Sequence, residues 1–162
     1  MKRKVIKPKT RFSDLVEFYK EVKAMENLAF ARLMAGIFDE DKALFFLKQK
    51  KREIENKYSK MLYEEDKYIF PSLGKMRKFL EKNGFVTGRI NESVKHESAH
   101  YREALSNGFN IRGFLCWLAI DNGKKDYICS TQIAAYKMPA YDAYKKASNA
   151  PKNLSIIDRM AV

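Results

Sequence analysis

Asp121-Asn122-Gly123 stands between two runs rich in β-forming residues, FLCWLAI before it and KKDYICSTQI after it. Asn-Gly suits the two positive-φ positions of a type I′ turn, whose twist matches that of two antiparallel strands. The signal therefore predicts a β-hairpin over residues 111–133. The turn also sets the register. Pairing outward from it places Cys116 across from Cys129, with Cβ atoms about 4.5–5.5 Å apart. Phe114, Leu118, Ile120, Tyr127 and Ile133 share the cysteine face. Three readings of the pair stay open: two reduced cysteines in a core, a Cys2His2 zinc staple with His96 and His100, or a cross-strand disulfide.

Upstream of the hairpin the apolar period is that of helices. A first helix is expected from Asp14, with Leu15, Tyr19, Val22, Ala29 and Leu33 on one stripe and Gly36 as its end. Asp39 or Asp41 opens a second, with an apolar seam of Leu44, Leu47, Ile54, Tyr58 and Met61, ended by Pro71. Two helices joined by a short turn predict an antiparallel hairpin. A third helix follows in SLGKMRKFLEKNG, with Met76, Phe79 and Leu80 inward and Asn83-Gly84 as the stop. After a linker, FVTGRI, Asn91 or Ser93 caps a fourth that ends at Asn107-Gly108. Beyond the β-hairpin, Pro139 starts a short helix to about Ser148. A last amphipathic turn carries Leu154, Ile156, Ile157 and Met160. The expected fold is α+β and mostly α: a basic arm over 1–12, a helical hairpin over 13–69, and a domain over 70–162.

Composition narrows the classes. Hydrophobic residues make up 46% of the 162, enough for a core. No apolar run approaches the length of a membrane span. The start, MKRKVIKPKTR, leads into a charged amphipathic helix rather than an apolar leader, and the 2 cysteines make no disulfide framework. These features point to the cytoplasm. The net charge of +12 points to anionic partners, nucleic acid among them. The helical hairpin offers a surface for homo-oligomer formation.

Chemistry concentrates in one stretch, VKHESAHYREAL, which holds both histidines of the chain. His96-Glu97-Ser98-Ala99-His100 has the spacing H-E-x-x-H. On a helix, i and i+4 stack on one face, so His96 and His100 reach one metal ion, and Glu97 reaches a water bound to it. Turning around the helix, Val94, Ser98, Tyr101 and Leu105 are expected toward the core. His96, His100, Glu103 and Asn107 lie nearly opposite, with Glu97 and Ala104 at the flank.

The motif resembles the active-site helix of the zincin metallopeptidases, over about a dozen residues. That resemblance implies Zn²⁺ held by His96 and His100, Glu97 as general base, and a peptide or protein as substrate. The family's third histidine has no counterpart, since residue 103 is Glu. Glu103 shares the histidine face but lies about 10.5 Å along the axis from His96. Asp142, in the short helix after Pro139, is the favoured third ligand.

Two other readings use the same residues. Helix 72–82, helix 92–107 and the hairpin follow the order of a winged helix, which with the basic charge suggests a nucleic-acid-binding module. Alternatively the chain is a non-catalytic interaction protein with a structural Cys2His2 zinc.

Overall fold

The hairpin forms as its turn dictates. β2 (Asn110–Asp121) and β3 (Lys124–Ala134) are joined by Asn122 and Gly123, at φ of 49° and 78°, and Cys116 faces Cys129. A computed structural model describes residues 6–134, and the expected helix after Pro139, the last amphipathic turn and Asp142 lie outside them. Among the described residues are four α-helices and a three-stranded antiparallel sheet, so the fold is α+β and mostly α. No helix among them is long and apolar enough to cross a membrane.

The third strand is β1 (Lys67–Phe70), which pairs with the free edge of β2, Lys67 opposite Trp117 and Phe70 opposite Phe114. β2 is thus central, and Phe114 to Ala119 are buried without interruption. Its alternate side chains enter two cores. Phe114, Cys116 and Leu118 pack with Met76 and Leu80 of α3 (Leu73–Lys82) and Ile90 of α4 (Thr87–Ser106). Leu115, Trp117 and Ala119 pack with Leu15 of α1 (Phe12–Met34) on the other face. Leu15, Leu80, Ile90 and Leu118 are 0% exposed. Burying each such side chain stabilises the fold by about 1.5–3 kcal/mol. The second half of α1 leaves the sheet and pairs with α2 (Glu40–Tyr58), where Phe30 and Ala43 anchor a small separate core.

Local signals hold where they are strongest. Asp39 caps α2 by accepting from the Lys42 amide, and Ser72 caps α3 by accepting from that of Lys75. Gly36, Gly84 and Gly108, after α1, α3 and α4, take positive φ. Elsewhere the structure corrects the sequence reading. The second helix does not run to Pro71 but ends at Tyr58, and KYIF becomes β1 because β2 has an edge for it. The fourth helix begins at Thr87, without a side-chain cap; Asn91 instead accepts from Arg77, and Ser93 bonds the Tyr127 hydroxyl.

Of the expected basic arm, residues 6–11 are described, and they are tied to the rest of the fold. Thr10 is wholly buried, and its amide and hydroxyl both donate to Asp66 Oδ2 at 2.8 Å. The Thr10 carbonyl accepts from the Ile120 amide at 2.8 Å, beside β2. The expected boundary between residues 69 and 70 also does not mark a break in packing. β1 and the first half of α1 share the cores of the sheet with residues that follow.

Candidate metal centre

α4 lies across β2 and β3 on the side opposite α1, and its buried residues are Ile90, Glu97, His100 and Ala104. Ile90, Glu97 and Ala104 recur every seven residues, so they form one line along the inner face. Val94 and Tyr101 pack against the main core as expected, but the inner face extends round to Glu97 and His100 and leaves Leu105 out. Leu105 is 47% exposed, Glu97 is 3% exposed and His100 is 8% exposed. His100 is thus buried rather than turned away from the core, and His96 is half-buried. The shift follows from the earlier helix start, which lets Ile90 anchor the helix in the main core and brings Glu97 into the same line.

A carboxylate in that line requires hydrogen bonding, because burying a charge without it costs several kcal/mol. β3 supplies a donor. The Thr131 hydroxyl lies 2.5 Å from Glu97 Oε2. The Glu97 charge is also felt by its other neighbours. The Tyr19 phenol on α1 is pushed up, first by burial and further by Glu97 and Cys129, while Lys23 draws it down. The Cys129 thiol is pushed well up, first by its hydrogen bond with Cys116, then by burial and by the charges of Cys116 and Glu97.

The imidazoles stack as i and i+4 side chains do. Their centroids are 4.8 Å apart, the planes cross at 75°, and the two Nε2 atoms are 3.2 Å apart. Zinc bonded to imidazole nitrogen at about 2.0–2.1 Å requires a separation of about 3.3 Å along a tetrahedral edge. The observed pair thus has the spacing of two ligands to one ion. Nitrogen and carboxylate atoms of His96, Glu97 and His100 all lie within 4.8 Å of one another, and this is the group among the described residues with metal-ligating geometry.

The structure brings together the three motif residues and sets other acidic and thiol side chains apart from them. Glu103 turns toward the helix end, where Asn107 Nδ2 donates to it at 3.2 Å. Asp126 pairs with Arg89, and Asp121 is exposed at the hairpin turn. Cys116 and Cys129 are both free thiols with sulfurs 3.1 Å apart, and they stand outside the histidine group. Sequence reasoning missed Thr131. For Thr131 a signal was present, since it lies two residues from Cys129 on the strand face that α4 covers. Comparison with protein families, with curated proteins and with solved structures gives no match to this chain.

Proposed function

We propose that this protein binds a divalent metal, Zn²⁺ by preference, through His96 and His100, and that the site is that of a metal-dependent hydrolase acting on peptide-like substrates. The observation that carries this reading is the convergence of the two Nε2 atoms at 3.2 Å beside the Glu97 carboxylate. Without a metal, two neutral imidazoles tolerate that contact only when one Nε2 carries the proton and the other does not. With a metal, both present lone pairs to one point. An ion held there supplies a Lewis acid and lowers the pKa of bound water to about 7.

The remaining chemistry belongs to this chain. Thr131 engages one oxygen of Glu97, Oε2, which orients the carboxylate. Glu97 lies beside both histidines, where it would take a proton from metal-bound water. A third protein ligand is still required, and Asp142 remains the proposed one.

Metal analysis of the purified chain tests this directly. About one zinc per chain is expected, lost in His96→Ala and in His100→Ala. A chain that stays metal-free after equilibration with Zn²⁺ sinks the proposal. Glu97→Gln separates the roles of the carboxylate, since it keeps the shape and a Thr131 partner. A variant that retains the ion but no longer cleaves a peptide library identifies Glu97 as the base. Loss of the ion makes it a ligand instead.

A further inference from the structure

The turn end of the α1–α2 hairpin keeps large apolar side chains in contact with solvent. Met34, Ile37 and Phe45 are 66%, 65% and 68% exposed. Phe45 itself forms one side of an apolar groove that Phe38, Asp41, Lys42, Phe46 and Gln49 complete. Its aromatic wall is braced. The Phe38 and Phe46 rings lie 5.4 Å apart, and the Arg32 guanidinium sits 5.3 Å and 5.5 Å from their centres. A phenylalanine left in water on one side of a preformed apolar groove marks a contact surface rather than a solvated helix face.

We propose that this surface joins two copies of the chain, with their α2 helices packed antiparallel about a two-fold axis and Phe45 of each copy seated in the other's groove. A two-fold contact needs knob and hole on the same patch, and both are here. The order of charge along α2 selects the arrangement. Glu40 and Asp41 outweigh Lys42 in the first turn, whereas Lys48, Lys50, Lys51 and Arg52 follow Phe45. Asp41, Phe45, Lys48 and Arg52 are spaced four, three and four apart, so they share one face. Antiparallel copies bring the acidic end of each against the basic stretch of the other, twice by symmetry. A parallel pair sets like against like. The surface involves none of the metal-site residues, so the proposal stands apart from the one above.

Sedimentation equilibrium of the full chain across micromolar concentrations, with chelator present, reads the association. The expected result is a monomer–dimer equilibrium. Phe45→Glu weakens it by about 30-fold or more, as loss of a central anchor does. Far-ultraviolet circular dichroism stays unchanged, since Phe45 is exposed. Asp41→Lys and Arg52→Asp each weaken it alone, because each sets like charges together at two places. Mixing these two variants restores dimers, since every acidic group then meets a basic one. A chain that stays monomeric throughout overturns the proposal, as does a dimer that Phe45→Glu leaves intact. A mixture no tighter than its components overturns the antiparallel pairing.

Discussion

Glu97 shows what spacing along a sequence conveys about a residue and what it does not. Two histidines four apart on a helix meet whatever the rest of the fold does, so that half of the site was legible locally. The Glu97–Thr131 bond crosses 34 residues and depends on which face α4 turns to β3. Expecting the helix to begin at Asn91 or Ser93 removed Ile90 from it, and with Ile90 the anchor that sets its rotation. The bond has a measurable consequence. Thr131→Val keeps the volume but removes the donor to a buried carboxylate, so it should cost about 1–3 kcal/mol of stability. Thr131→Ser should recover most of the loss. Urea unfolding with chelator present keeps metal binding out of the comparison. If Thr131→Val unfolds at the wild-type midpoint, the hydroxyl does not support the carboxylate.

At the scale of elements, β2 is read easily from one side and poorly from the other. Its pairing with β3 follows from a two-residue turn. Its pairing with β1 joins Lys67 to Trp117, and four residues of KYIF carry no local sign of a partner that far along the chain. The same long-range geometry explains Gly113. β2 is irregular between Ile111 and Gly113, and Gly113 has φ of 157°. A Cβ there would meet the Phe70 carbonyl oxygen at 2.8 Å and Ile69 Cγ2 at 3.0 Å. One of these neighbours is backbone, so the end of β1 must shift to admit a side chain. Gly113→Ala should therefore destabilise by about 1–3 kcal/mol. Gly88→Ala is the control. Gly88 lies in the first turn of α4 with nothing within 4 Å, so alanine there should be neutral or stabilising by up to about 1 kcal/mol. Equal effects from the two substitutions would mean that the approach of β1 does not constrain Gly113.

The described residues are layered, with α1 on one face of the sheet and α3 and α4 on the other, and this arrangement decides how stability responds to pH. Between the layers lie groups that ionise only at alkaline pH. Burial is the first cause that raises Tyr19 and Tyr127, while Cys129 is raised first by its bond to Cys116 and then by burial. Each holds its proton more tightly folded than unfolded. Their contribution is complete below the ordinary pKa values, about 8.5 for Cys and about 10 for Tyr, and declines as pH rises past them. Lys125 works the other way. Burial lowers it, so it releases its proton more readily when folded and favours the fold as pH rises toward its ordinary value. Tyr58 and Tyr68 are raised in the same sense, again first by burial, so one partly exposed lysine is outweighed and the net slope is downward. Urea midpoints should fall steadily from about pH 8 to about pH 11, with up to about 1.4 kcal/mol per pH unit for each fully buried group. Tyr19→Phe removes one titrating group while keeping its ring between α1 and the sheet. It should flatten the decline above about pH 10 and leave the portion due to Cys129 in place. A midpoint that does not change over this range, or a Tyr19→Phe profile parallel to the wild type, would show that closing the layers places no phenol where its ionisation opposes folding.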